Sequence, residues 1–258
     1  MAGPLSGHLS GRVALVTGAR QGMGVAHARR LAGDGAIVAV NDRVNSPELA
    51  ALAAEIGGIT AVGDVSDPAA VRSLVAGVEE EVGPVRILVA NHAYMSMAPL
   101  LEDDEDDWWR VVDTNLGGTF HLVQAVLPGM RANGGGRIVV IASEWGVIGW
   151  PAATAYAASK AGLISLTKTL GRELAPEGIV VNAIAPGVVD TPQLLVDAQA
   201  AAVSLSEMHA MYASTIPLGR IGTPEEVAAV VSLLADHRLG SMVGQVVQAN
   251  GGSTRGRV

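Results

Sequence analysis

Short runs of aliphatic and β-branched residues alternate along this chain with longer stretches of helical period, and that alternation closes off most folds. Val13 to Thr17 leads into a helical stretch to about Ala32. Further extended runs follow at Ala36 to Val40, Ile59 to Val62, Val85 to Ala90, from Ile138 onward, at Gly178 to Ala185 and at Val243 to Gln248. Strands joined by helical crossovers pair in parallel, and a parallel sheet needs helices on both faces. The expected class is α/β, a doubly wound parallel sheet flanked by helices. Apolar residues make up 49% of the chain and aromatic ones only 3%, so such a core must be built from Ala, Val, Leu and Ile. No linker or charge block marks off a second unit within the 258 residues, so one domain over 1–258 is expected.

The absence of cysteine removes disulfides, thiol nucleophiles and Cys-based zinc sites, and fits a reducing compartment. The first residues, MAGPLSGHLSGR, lack the apolar stretch of a signal peptide, and no apolar run approaches the ~18 residues that span a bilayer. A soluble, cytoplasmic protein is the expectation. A net charge of −8 with scattered arginines argues against nucleic acid or an anionic membrane as partner. The acidic run Glu102 to Asp107 has no calcium-loop spacing. Acids gather in the first turn of a helix because its dipole stabilises them, so a helix start, and no metal site, is expected there.

Chemistry first shows after the first strand. Gly18, Gly22 and Gly24 let the backbone turn tightly and approach a pyrophosphate, whose charge the following helix N-terminus receives. Their spacing, G-x-x-x-G-x-G, differs from the commoner G-x-G-x-x-G. Asp42 lies 18 residues after Gly24, about where an acid accepts both hydroxyls of an adenosine ribose. Asp64 follows the third run, near the adenine edge, and Asn91 follows the fourth, at the carboxyl ends of the strands where doubly wound sheets bind ligands. The helix opened by the acidic run should continue through Asn115 and Phe120 towards Pro128-Gly129, with an amide where apolar residues would pack better.

Ser143 ends the run from Ile138, and Tyr156 and Lys160 stand one turn apart on the next helix, sharing a face. An ammonium at ~4 Å in a partly screened site lowers a phenol by roughly three pKa units before desolvation, which would bring Tyr156 near neutrality. Three Tyr and two Lys in the chain make the chance occurrence of this pair about 0.02. Arginine is otherwise the cation used here, fifteen times, so a Lys at this place points to a need for a compact, tunable ammonium.

Thr17-Gly18-x-x-x-Gly22-x-Gly24, Asp64-Val65, Asn91, Asn115, Ser143, Tyr156-x-x-x-Lys160 and Pro186-Gly187-x-x-x-Thr191 stand in the order and spacing of the short-chain dehydrogenase/reductase family, which the chain resembles over nearly its whole length. The resemblance implies a Rossmann-like sheet of seven strands in the order 3-2-1-4-5-6-7. It also implies roles: Tyr156 as general acid/base, Lys160 lowering its pKa and holding the nicotinamide ribose, Ser143 bonding the reacting oxygen, and Asn115 anchoring a water in a proton relay. For the dinucleotide it implies the loop residues Gly18, Gln21, Gly22, Met23 and Gly24, then Asp42, Asp64, Val65, Asn91, Pro186 and Gly187. The Val189 backbone would meet the carboxamide, and Thr191 the phosphates. Two positions depart from the family pattern. His92 stands where the family has a small residue beside the nicotinamide pocket, and Asn250-Gly251-Gly252 replaces its frequent Asp-Gly-Gly.

The expected protein is an NAD-dependent alcohol dehydrogenase or ketone reductase, with Asp42 favouring NAD over NADP; family precedent suggests a homotetramer. An NADP-dependent reductase of the ketoacyl-carrier-protein type is the alternative that Asp42 argues against. Intact Asn115, Ser143, Tyr156 and Lys160 argue against a non-catalytic dinucleotide-binding regulator, and the glycine cradle against a dehalogenase- or lyase-like relative. Residues from about 190 to 216 read as a substrate lid. Tyr94, Met95, Met97, Trp145, Trp150, Leu194, Leu195, Met208, Met211 and Tyr212 fall in segments around the site, suggesting a largely apolar pocket for a bulky or cyclic alcohol or ketone. Thr223-Pro224-Glu225-Glu226 is a capping box for a helix through Ala235.

Overall fold

A computed structural model describes residues 7–254. Seven strands form one parallel sheet: β1 Val13–Val16, β2 Ile37–Asp42, β3 Ile59–Val62, β4 Val85–Ala90, β5 Gly136–Ile141, β6 Ile179–Pro186 and β7 Val246–Ala249, in the order β3-β2-β1-β4-β5-β6-β7. This is the Rossmann-like arrangement. Successive residues of β1 serve opposite cores, as the two-residue period of a strand requires. Val13 and Leu15 join Leu74, Val78, Leu122, Val126 and Leu163 on one face, while Ala14 and Val16 join Leu31, Leu49, Val231 and Leu234 on the other.

The first face is covered by α3 (Pro68–Val82), α5 (Gly118–Ala132) and α7 (Thr154–Leu174), the second by α1 (Met23–Gly33), α2 (Pro47–Ile56) and α10 (Pro224–Ala235). Their starts are written locally. Asp67 accepts from the Ala69 N–H at 2.7 Å ahead of Pro68, and Thr223 and Glu226 close the expected capping box on α10. The acidic run opens α4 (Glu105–Val112), with Asp104 as the cap.

Several boundaries differ from the sequence expectation, each for a long-range reason. β2 runs on through Asn41 and Asp42 because both pair with β3, at Ala61 and Val62. Pro128 does not end its helix; α5 continues to Ala132, carried by the fully buried Met130. Residues 192–216 are mostly helical, with α8 (Gln193–Ala200) and α9 (Leu205–Ala213) inside the expected connection. Between α4 and α5 the chain makes a π turn, Asp113–Gly117, with Asn115 at its centre. Such turns are rare and gather at functional sites. Among the described residues no helix is long and apolar enough to cross a membrane.

All strands being parallel, their carboxyl ends lie along one edge, which brings Gly18, Asp42, Asn91, Ser143 and Gly187 to the same side of the molecule. Neighbours of β1 lead away in opposite directions, to β2 and to β4, and the crevice between their ends is where a doubly wound sheet receives a ligand.

Candidate active site

The crevice is a cleft of about 920 Å³, lined by Gly18, Gln21, Gly22 and Met23 from the glycine loop, Asp42, Asp64 and Val65 from the β2 and β3 ends, Asn91, and Thr191. Gly18 and Gly22 have φ of 62° and 59°, the left-handed region that side chains resist. A Cβ on Gly24 would stand 2.2 Å from the Gly18 carbonyl oxygen, so only glycine lets α1 start so close under the loop. No side chain caps α1 and no acid stands in its first turn, which leaves its amides and positive end facing the cleft. Asn91 holds the loop through Nδ2, which donates to the Thr17 and Gly18 carbonyl oxygens at 3.0 and 3.2 Å. A loop without Cβ atoms and a bare helix end fit a dinucleotide laid across the crevice.

At the ribose end, the Asp42 Oδ1 accepts from the Arg43 N–H at 2.8 Å and lies 3.8 Å from Arg20 Nε. Asp64 is turned to Ser66, whose amide and hydroxyl both donate to its Oδ1. His92 lines the cleft but is spent on packing. Its Nδ1 lies 2.8 Å from Thr17 Oγ1 and its Nε2 3.5 Å from Thr119 Oγ1, and burial drives it down to about 3. It is neutral at any ordinary pH.

A smaller pocket of about 230 Å³ adjoins the cleft, sharing Met23, Ala93, Thr191 and Gln193 with it. Ser143, Tyr156, Pro186, Gly187 and Val189 line it, with Met95, Trp145, Leu194 and Tyr212 as its apolar wall. Trp145 meets the Tyr156 ring edge-on at 5.8 Å and stacks on Trp150 at 4.9 Å, which fixes the phenol's orientation. Other residues expected around the substrate lie elsewhere: Tyr94 faces the large cleft, its hydroxyl donating to Asp107 at 2.7 Å under the Arg110 guanidinium. Met97, Trp150, Leu195, Met208 and Met211 line neither cavity.

Lys160 is almost completely buried, and its Nζ donates to the Ile141 carbonyl at 2.8 Å while lying 5.5 Å from the centre of the Tyr156 ring. The electrostatics run opposite to the sequence expectation. Burial pushes the Tyr156 phenol up to about 12, against a hydrogen bond with Ser143 that pulls it down, and burial pushes Lys160 down to about 7. Desolvation outweighs their mutual attraction because the ammonium is anchored on a backbone carbonyl rather than on the phenolic oxygen. At neutral pH the phenol is a proton donor.

Asn115 lines neither cavity. Its side chain is satisfied, accepting from the Tyr94 N–H at 2.8 Å and donating to the Tyr94 carbonyl and the Ser159 hydroxyl, both at 3.0 Å. Gly24 and Lys160 likewise act from behind the surface. Three residues that the sequence did not single out belong to the neighbourhood. Glu144 and Asp197 line the small pocket, and His27, fully buried in α1 beside the Asn91 side chain, is driven down to about 4 by burial. Nothing local marks any of the three.

A loop-cradled cleft opening on a Ser–Tyr pocket backed by a buried Lys, at the switch point of a parallel sheet, defines a dinucleotide-type oxidoreductase. The chain belongs to the short-chain dehydrogenase/reductase family: the family model described as enoyl-(acyl carrier protein) reductase matches residues 18–254. It is 38% identical to the 3-oxoacyl-[acyl-carrier-protein] reductase of Thermotoga maritima, over 95% of this chain and 98% of that protein. It is 39% identical to the NAD(+)-dependent 2-dehydro-3-deoxy-L-rhamnonate dehydrogenase of Sphingomonas sp., over 96% of this chain and 98% of the other. To a short-chain dehydrogenase/reductase of Armillaria gallica it is 39% identical, over 94% and 95%.

Proposed function

We propose that the chain is a single catalytic domain that interconverts a secondary alcohol and a ketone with NAD(H), on a largely apolar, ring-sized substrate. The observation that carries this reading is the placing of Tyr156 and Ser143 in a pocket that shares its inner wall with the glycine-cradled cleft. A nicotinamide bound across that wall supplies or accepts hydride. The chain's own residues do the rest. Tyr156 gives the proton to the carbonyl oxygen in reduction, Ser143 holds that oxygen, and Lys160, buried behind the pocket on the Ile141 carbonyl, steadies the phenolate as the proton leaves and turns to the ribose when the nucleotide binds. Asn115 acts through the π turn, which it locks to Tyr94 and to Ser159 on α7, three residues from Tyr156.

Asp42 supports NAD, since its carboxylate is set to accept ribose hydroxyls and would repel the 2′-phosphate of NADP. Arg20 already pairs with it. The relative from Sphingomonas is named for NAD(+), which agrees, whereas the carrier-protein reductase represents the competing reading. Helices α8 and α9 bring Leu194 and Tyr212 over the pocket and serve as the lid. Trp109 and Phe120 leave apolar surface exposed on α4 and α5, which suits burial in a homotetramer. A panel of cyclic and open-chain ketones and alcohols with NAD and NADP, read by absorbance of the reduced nicotinamide, tests the reading; turnover with NADP alone, or of acyl thioesters alone, would replace it.

A further inference from the structure

The smaller pocket carries a charge pattern that proton transfer does not use. Two acids line it, Glu144 beside Ser143 and Asp197 on α8, and among its lining residues there is no Lys, Arg or His. Glu144 is buried, 5% exposed, with the Ser253 hydroxyl donating to its Oε2 and the Asn250 side chain as a second hydrogen-bond partner. Asp197 accepts from Gln193 Nε2 at 3.0 Å. A carboxylate offers about four lone-pair positions, so both keep acceptor capacity beyond these bonds. Basic groups of the adjoining segments are engaged elsewhere: Lys160 donates to the Ile141 carbonyl, and His209 of α9 stands 3.4 Å from Asp190.

We propose that this pocket is charge-selective: Glu144 and Asp197, unopposed by a lining cation, reserve it for an uncharged or cationic alcohol or ketone bearing a second hydrogen-bond donor, and turn carboxylate substrates away. This rests on the small pocket being the place of reaction, and it adds a substrate class to that reading. Apolar walls alone would accept any ring of the right size. Unpaired acids in a site partly shielded from water add a penalty for every anion and a reward for every donor. A hydroxyl and an ammonium supply the same donor chemistry, and the test separates them.

Four ring compounds of one size serve as probes: cyclohexanol, a cyclohexanediol, an aminocyclohexanol and a hydroxycyclohexanecarboxylate. Their kcat/KM values with NAD are compared in the parent protein, Glu144→Gln and Asp197→Asn. The diol or the amino alcohol should match or exceed cyclohexanol, and the carboxylate should fall below it by about tenfold or more. Each substitution should recover the carboxylate several-fold, and if the donor is an ammonium the amino alcohol should lose by a similar factor. Carboxylate used as well as the neutral alcohol, or a ranking unchanged in both variants, overturns the proposal. Asp197→Asn keeps the test open should Glu144→Gln fold poorly, because Asp197 is only half-buried on α8. Absence of turnover with every probe would count against the reaction assigned above instead. Quenching of tryptophan emission, to which Trp145 in the pocket wall contributes, then ranks binding of the same compounds, and carboxylate binding as tight as the amine would overturn the charge preference by itself.

Discussion

Tyr156 is the residue on which the chemistry turns, and its surroundings say what its loss should do. Tyr156→Phe keeps the ring that packs against Trp145, so fold and nucleotide binding should persist. Turnover should fall by roughly 10²- to 10⁴-fold, since general acid/base assistance is typically worth that much. Steady-state assay beside a thermal melt checks both halves; near-normal turnover would remove Tyr156 from the role. Lys160→Ala differs, because it also strips a donor from the buried Ile141 carbonyl. It should lower turnover, weaken NAD and reduce Tm together, the last because an unsatisfied buried acceptor costs about 1 to 3 kcal/mol. Cofactor choice is set one strand away. Asp42→Ser removes the carboxylate that Arg20 and the Arg43 amide now face, so the Arg20 guanidinium is released to join that of Arg43 on a phosphate. NAD should weaken and NADP improve, the ratio of kcat/KM shifting by ~10²-fold. A parent protein that already prefers NADP would show that the arginines prevail.

At the scale of elements, the helix caps are the parts most plainly written in the chain, and they are open to a clean test. Thr223 Oγ1 accepts from the Glu226 N–H at 3.3 Å, and Glu226 accepts from the Thr223 N–H at 2.9 Å. Thr223→Ala should cost about 1 kcal/mol in urea unfolding and leave kcat/KM within about twofold, because α10 lies behind the sheet from the pocket and shares the core of α1. A much larger loss of activity would mean that α10 transmits strain to the glycine loop. Seven strands and the glycine cradle were legible because each rests on a local pattern or a motif of fixed spacing, whereas the strand order came with the family resemblance that those motifs carry. Ser46 and Pro47 begin α2, and Ser204 with Glu207 boxes α9, so these helices too had a local signal; Ala-rich faces without clear period hid them. The π turn at Asn115 had none. It follows from three hydrogen bonds to Tyr94 and Ser159, partners that the fold alone brings near. The same holds for the Tyr156–Lys160 pair: spacing placed both on one face, but only the structure shows the ammonium tied to Ile141 and burial outweighing attraction.

For the molecule as a whole, two buried histidines decide how stability responds to mild acid. His27 and His92 are held neutral by burial, at about 4 and about 3, against 6.5 for the unfolded side chain. A folded pKa below the unfolded one means that the unfolded chain binds more protons throughout the interval between them. Stability is therefore complete above pH ~6.5 and is lost progressively as pH falls towards ~4 for His27 and ~3 for His92. At pH 5 the loss should be on the order of 2 kcal/mol for each ring, which in a domain of this size corresponds to several degrees of Tm. Between pH 7 and pH 5 the carboxylates add little or oppose the trend. Glu226 and Asp236 are held below the usual carboxylate range by Arg220 and Arg238, so their own loss begins only where the unfolded carboxylates take up protons, at about pH 4. Lys160 has already given up its share of stability by the time pH has fallen to about 7. Glu144, raised by burial, takes up its proton earlier in the folded protein and so offsets a little of the loss. A substitution at His27 separates the two rings, because its one hydrogen-bonding neighbour is the Asn91 side chain, whereas His92 holds Thr17. His27→Leu should leave stability at pH 8 equal or higher and remove about half of the fall between pH 7 and pH 5, read from urea midpoints at each pH. An unchanged slope would place the acid sensitivity on His92 and its Thr17 contact alone, and a flat parent protein would show that neither ring is buried neutral.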